Sequence, residues 1–308
     1  MRPDRAPLAT GLIYRDQHTR TVHEQPEETL MPTRETAWPA GAPCWVDCAF
    51  EPEHRGMHHA RDFYGKLFGW HIVHDDEDGY ALCLKDELPV AGLVADADED
   101  QVPFWTTYLA SDDVDATAKA VEAAGGTVVT APDDIGDSGR AAYCTDSTGA
   151  FFGIWQARKH LGFGLVNEPG AVAHNSLLTR DVDASKTFYS KVFGYTYTDE
   201  SPDHAGIRLA DGSPGGSIHL DEQPPSGTMV LGSPRSIGAM EERRTSWGGD
   251  GAPPSWLVHF AVADRDSSAQ MAQELGASIL MTLDTPGGQE AVLQGKHGEV
   301  FNIIALPD

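Results

Sequence analysis

The chain has 308 residues, 40% of them hydrophobic and 22% charged, the balance of a globular protein long enough for more than one core. Forty-seven acidic residues against 22 Lys and Arg leave a formal charge of −25, a surface that repels phosphate backbones and anionic lipid and so argues against nucleic-acid and membrane partners. No apolar run approaches the roughly 18 residues of a spanning helix. The four cysteines, Cys44, Cys48, Cys83 and Cys144, make no Cys-x-x-Cys pair and are absent from the second half, as expected of reduced thiols in a cytoplasmic protein.

Residues 1–37 mix Pro, Arg, Glu and Thr without hydrophobic period or an apolar signal segment, so disorder is expected there. Alternation around Trp45–Ala49 marks a first strand. A helix follows, with Ala60, Phe63, Tyr64, Leu67 and Phe68 on one stripe and Gly69 as its C-terminal cap. Short strands are expected at Trp70–His74, Tyr80–Leu84 and Val90–Val94. The pattern then restarts with a strand at Trp105–Ala110, a helix at Asp115–Ala124, and strands near Val128, Ala141 and Phe151.

The second half repeats the first. Phe63-Tyr64-Gly65-Lys66-Leu67-Phe68-Gly69-Trp70 returns as Phe188-Tyr189-Ser190-Lys191-Val192-Phe193-Gly194-Tyr195, and Trp105–Val129 aligns without gaps on Trp256–Leu280. Gly149-Ala150-Phe151-Phe152 likewise meets Gly298-Glu299-Val300-Phe301. This is a tandem duplication. It divides the chain into a domain at 38–157, a linker at 158–169 and a domain at 170–308, each made of two βαβββ modules. Residues 221–254, rich in Pro and Gly, are expected to form a long irregular loop inside the second domain.

A tandem of βαβββ modules with Phe-Tyr-x-x-[Leu/Val]-Phe-Gly-aromatic closing the first helix resembles the vicinal oxygen chelate superfamily. That superfamily holds glyoxalase I, bleomycin-resistance proteins and extradiol dioxygenases. The resemblance covers about residues 38–306 and implies an α+β fold in which paired modules curl a mixed sheet into a cup. It also implies that a divalent metal can sit in the cup, on ligands from the opening and closing strands. His174 and His259 match the opening-strand histidines, the glutamate position of the closing strand is occupied by Asn302, and His219 is a substitute third ligand. The implied cofactor is therefore one divalent ion (Fe, Mn, Ni or Zn) in the second domain and none in the first, where Trp45, Tyr108 and Gly153 replace His174, His259 and Asn302. That first cup is expected to be lined by Trp45, Asp47, Trp105 and Tyr108, a set suited to a flat organic molecule.

Plainer readings stand beside these. His174 and His259 can be hydrogen-bonded interior histidines, the paired aromatics of the two helices are first of all core, and His54, His58 and His59 can be a solvated cluster. No dinucleotide, phosphate-loop or serine-hydrolase motif is present. The resemblance implies a small-molecule-binding protein and leaves two functions open. One is a metal-dependent lyase, isomerase or dioxygenase working through the second domain, with Glu290 and Glu299 as the nearest candidate bases. The alternative is a metal-free binding and sequestration protein of the bleomycin-resistance kind. Because two domains in one chain can satisfy each other's pairing, a monomer is favoured over a dimer.

Overall fold

The computed structural model describes residues 35–51, 56–74, 79–95, 102–179, 181–201, 204–220, 227–232, 254–285 and 287–307. The segment expected to be disordered lies outside them, apart from its last residues. The first sheet has eight strands in the order β2-β3-β4-β1-β5-β8-β7-β6. These are β1 (Pro43–Ala49), β2 (His71–His74), β3 (Tyr80–Lys85), β4 (Leu88–Val94), β5 (Trp105–Ala110), β6 (Thr127–Ile135), β7 (Gly139–Thr145) and β8 (Phe151–Ala157). Helix α1 (Gly56–Phe68) joins β1 to β2, and α2 (Val114–Ala123) joins β5 to β6. Within each module the first strand runs parallel to the last, as Asp47 opposite Gly92 and Tyr108 opposite Gly153 show. The modules meet at the antiparallel pair β1 and β5.

The second sheet repeats this plan with one addition. It comprises β9 (Val172–Thr179), β10 (Thr196–Ser201), β11 (His204–Arg208), β12 (Pro214–Leu220), β13 (Gly227–Gly232), β14 (Ser255–Ala261), β15 (Ser278–Thr285), β16 (Gly288–Gln294) and β17 (Val300–Ala305), with helices α3 (Val182–Phe193) and α4 (Arg265–Glu274). The expected loop at 221–254 contains β13, which pairs antiparallel with both β12 and β9. The third module is thus βαββββ, and its β12 lies one strand further from β9 than β4 lies from β1. Gly-Thr-Met-Val-Leu-Gly is short and glycine-bounded, so Pro and Gly on either side outweighed its strand character in the sequence.

Helix starts follow a common rule. Asp113, Asp181 and Asp264 each precede a helix, and each carboxylate accepts a hydrogen bond from the amide three residues on, at 3.0, 2.9 and 2.7 Å. Gly69 (φ 69°) and Gly194 (φ 68°) close α1 and α3 in the left-handed conformation that glycine alone adopts without strain.

Alternate residues on a strand point to opposite faces, and that parity sorts the molecule. The inner faces of both sheets carry the helices and face each other. Phe68, Trp70 and Trp105 of the first domain pack on Phe260 of the second with ring centroids 4.9, 5.6 and 5.1 Å apart. Helix α1 lies beside α4 and α2 beside α3. The tyrosine of each repeated Phe-Tyr pair crosses between domains. Tyr64 of α1 donates to Glu299 Oε1 at 3.4 Å, and Tyr189 of α3 donates to Asp146 Oδ2 at 3.2 Å. The duplicated motif therefore builds a helix stripe and a reciprocal polar link in one stroke.

Candidate functional sites on the outer faces

With the helical faces turned inward, each sheet offers its other face for chemistry. In the first domain Trp45 lies opposite Tyr108 and Asp47 opposite Thr106, so these four share the outer face. Tyr108 donates to Asp47 Oδ2 at 2.9 Å, the Tyr108 and Tyr143 hydroxyls share a hydrogen bond at 2.9 Å, and Trp45 Nε1 donates to Tyr80 Oη at 2.7 Å. Burial holds the Asp47 carboxyl up at about 7, against the opposing pull of the Tyr108 hydroxyl. Two glycines make this arrangement sterically feasible. A Cβ on Gly153 would fall 2.2 Å from the Tyr108 ring, and one on Gly92 would fall 1.9 Å from Tyr80 Oη. Outward from Asp47 runs a file of rings. Tyr108 meets Tyr143 at 5.9 Å, Tyr143 stacks on Phe151 at 5.8 Å with 13° between planes, and Phe151 meets Phe104 edge-on at 5.4 Å. Phe104 is 42% exposed while Tyr108 is buried, so the file runs from solvent to the carboxyl.

The residues after β8 cover the inner end of this face. His160 sits edge-on to Trp45 at 4.3 Å, Phe163 lies 5.6 Å from it, and Trp155 Nε1 donates to the His160 carbonyl at 3.0 Å. Burial lowers the His160 imidazole to about 4, so it is neutral at pH 7. Trp105 does not belong to this group. It is opposite Cys48 on the inner face, where its Nε1 donates to Tyr64 Oη at 3.1 Å. Three residues separate Trp105 from Tyr108, and an odd separation on a strand reverses the face. Tyr80, Tyr143, Phe151 and His160 were not singled out in the sequence because three lie on other strands and the fourth on the linker.

In the second domain His174 of β9 lies directly opposite His259 of β14, and their rings stack at 3.9 Å with 30° between planes. Asn302 of β17 is opposite His259 on the other side. His259 Nε2 is 2.9 Å from Ser176 Oγ and its Nδ1 is 2.7 Å from Asn302 Nδ2. The Asn302 amide also donates to Glu290 Oε2, which lies 3.4 Å from His259 Nδ1. An amide nitrogen can only donate, so Nδ1 accepts and the imidazole proton is assigned to Nε2, facing Ser176. His174, His259, Glu290 and Asn302 are all buried.

The structure brings His174, His259 and Glu290 together and separates the other two candidates from them. His219 is opposite Thr228, and Thr228 is opposite Leu178. It therefore sits two strands and four residues from His174, on the order of 15 Å by strand spacing and rise. The inserted β13 creates that separation. Glu299 precedes β17 and joins its inner-face residues, reaching Tyr64 and the His297 amide instead of His259. Burial raises its carboxyl to about 7.

A first-row metal needs in-plane lone pairs converging at about 2.0–2.1 Å, with a carboxylate among the ligands in sites of this type. Both His259 nitrogens are engaged within the protein, and the closing-strand position offers an amide. Among the described residues no group of three or more His, Cys, Asp or Glu is arranged to hold a metal ion. The residues as placed do not fit the implied metal centre.

Paired modules, first and last strands parallel in three of the four, and helices on one side of each sheet define a tandem glyoxalase-like fold. The Glyoxalase/Bleomycin resistance protein/Dioxygenase superfamily model matches residues 55–154 and 171–302, and the chain belongs to that superfamily. It is 33% identical over 283 residues to "Putative glyoxylase CFP32" of Mycobacterium bovis, spanning 89% of this chain and 98% of that protein. It is 32% identical over 289 residues to "Anthracycline biosynthesis protein DnrV" of Streptomyces peucetius, spanning 88% and 95%. Among solved structures the Mn(II)-bound glyoxalase from Novosphingobium aromaticivorans superposes with a TM-score of 0.54 at 18% identity, covering 87% of this chain and 82% of that one. The 2,2',3-trihydroxybiphenyl 1,2-dioxygenase from Sphingomonas wittichii gives 0.52 at 14% identity, covering 86% and 90%. At such identities these two structures speak for the fold alone.

Proposed function

We propose that this protein binds a flat, oxygen-bearing organic molecule on the outer face of its first domain, with Asp47 as the group that exchanges a proton with it. The observation that carries this reading is the file of rings from exposed Phe104 through Phe151, Tyr143 and Tyr108, ending at a buried carboxyl. Aromatic faces attract a planar π-system, and a carboxyl that is held near neutrality can donate or accept a hydrogen bond to a ligand oxygen. The relationship to DnrV, named for anthracycline biosynthesis, supports a fused-ring ligand. The net charge of −25 suits one bearing a cationic amine.

The test is a fluorescence titration with an amino-sugar anthracycline beside an uncharged anthraquinone. Saturable quenching at one equivalent is expected, with Phe151→Ala and Tyr143→Ala each weakening binding about tenfold, or about 1.4 kcal/mol. Equal affinity in wild type and both variants would overturn the placement. Recovery of the unchanged molecule marks sequestration, and a new product marks turnover.

A second reading rests on the second domain. The buried contact between His259 and Glu290 is a histidine–carboxylate pair of the kind that moves protons in isomerases and lyases. Its signature is turnover of an α-oxoaldehyde thiol adduct that is lost in His259→Gln and retained in Phe151→Ala.

A further inference from the structure

A second set of polar side chains gathers where the two domains meet, away from both outer faces. Helix α1 and the end of α4 face the turn between β16 and β17 across a cavity of about 150 Å³. Its walls include His59, Phe63 and Lys66 from the first domain and Lys296, His297 and Glu299 from the second. His59 and His297 stack across the boundary with ring centroids 5.6 Å apart and 28° between planes. His59 Nδ1 and His297 Nε2 are buried, and neither has a hydrogen-bond partner among the described residues. Buried polar nitrogens ordinarily find a partner, so two of them at one cavity leave an unfilled requirement.

We propose that this interdomain cavity is a binding site for a small organic carboxylate, which would take hydrogen bonds from the two imidazoles and charge from Lys66 and Lys296. Several observations select an anion. In a chain carrying −25, two lysines and two histidines converge here. The buried acid of the wall, Glu299, is already occupied. Glu299 turns one oxygen to the Tyr64 hydroxyl at 3.4 Å and the other to the His297 amide at 3.2 Å. Gly295 leaves room for that carboxyl, because a Cβ there would fall 2.0 Å from Glu299 Oε1. Asp62 faces Lys66 at 3.8 Å, and both are largely exposed and free to re-pair. Burial, helped by the positive charge of His59 and Lys296 and opposed by the nearby Glu51, lowers the basicity of His297. A divalent cation would meet two ammonium groups, and among the described residues no group of three or more His, Cys, Asp or Glu is arranged to hold one. The cavity is smaller than the roughly 300–1,000 Å³ of drug-sized pockets, and Ala60, Phe63 and Leu275 give it an apolar floor. A carboxylate on a short alkyl chain matches that size and polarity. Since Lys66 and Lys296 belong to different domains, such a ligand would tie the two together.

The experiment is isothermal titration of the full chain with sodium butanoate, with acetate, phosphate and Zn²⁺ as comparison probes. One equivalent of butanoate is expected to bind, more tightly than acetate because of the apolar floor. Lys66→Ala and Lys296→Ala should each weaken it at least fivefold, and the double variant should abolish it. Both lysines are solvent-facing, so folding is not at stake. The ring-nitrogen resonances of His59 and His297 should shift on addition of butanoate and stay put in the double variant. The proposal is overturned by absence of saturable butanoate binding, by butanoate binding indifferent to the lysine variants, or by tighter binding of phosphate. A Zn²⁺ site lost in His59→Gln/His297→Gln, with no competition from butanoate, would equally overturn it. None of these readouts depends on the first-domain ligand.

Discussion

Asp47 and Glu299 are acids that the folded protein keeps protonated far above their ordinary range, and both titrate near 7 because burial penalises their charged forms. The sign of the consequence follows from proton counting. Between the unfolded values of 3.8 and 4.5 and the folded values of about 7, the native state binds more protons than the unfolded one. The stability these groups support is therefore fully present below about pH 4 and is lost as pH rises through 7. Urea unfolding of wild type at pH 5 and pH 8 is expected to show the decline. Asp47→Asn, which removes the charge and keeps the shape, should recover on the order of 2 kcal/mol more at pH 8 than at pH 5. An identical pH dependence in wild type and variant would mean that Asp47 is ionised throughout. Asp47 was visible in the sequence as a polar residue in an apolar strand. Tyr143, which bonds its partner Tyr108, and Tyr80, which bonds the neighbouring Trp45, were not, because only strand pairing brings β7 and β3 to this face.

Among elements, β17 and β13 decide what the second outer face can do. On β17 the amide of Asn302 stands where the resemblance implies a carboxylate, and its two donors tie His259 and Glu290 into a closed network. Asn302→Glu is expected to place a carboxylate beside both imidazoles. Tag-free wild type should then retain well under one equivalent of metal by elemental analysis, and the variant should take up Mn²⁺ or Zn²⁺ with a stoichiometry that His174→Ala/His259→Ala removes. One equivalent in wild type, lost in the double alanine variant, would show instead that the network rearranges to receive an ion. Truncating the network elsewhere has a different cost. Glu290→Ala leaves buried donors without an acceptor and should destabilise the protein by about 2–3 kcal/mol in a denaturant titration. Strand β13 acts at longer range, since by standing between β12 and β9 it takes His219 away from His174.

For the molecule as a whole, the inward packing of both helical faces leaves the two outer faces turned away from each other, so their ligand chemistry is expected to be independent. His174→Ala should leave anthracycline titrations of the first domain unchanged within twofold, and a larger shift would reveal coupling through the shared core. The domains are held by that core and by the two reciprocal links, Tyr64 to Glu299 and Tyr189 to Asp146. Tyr64→Phe and Tyr189→Phe should each cost about 1–2 kcal/mol. Because the two tyrosines belong to separate core clusters, the double variant should lose nearly the sum. A split thermal transition in the double variant would show that the links enforce cooperativity between domains.

The duplication, the modules and the superfamily were legible in the linear chain, because hydrophobic period, glycine caps and the repeated Phe-Tyr motif are local signals. So was the placement of His174 and His259 on opening strands, while their direct opposition came from the pairing of β9 with β14. Tertiary structure alone decided which neighbours complete each site. It added Tyr143 and Phe151 to Asp47, gave Glu290 to His259, sent Trp105 and Glu299 to the inner faces, and interposed β13 before His219. The physical reason is that face and register are set by pairing between strands distant in sequence. One residue of slip, or one added strand, moves a side chain to the opposite side of the sheet or out of reach.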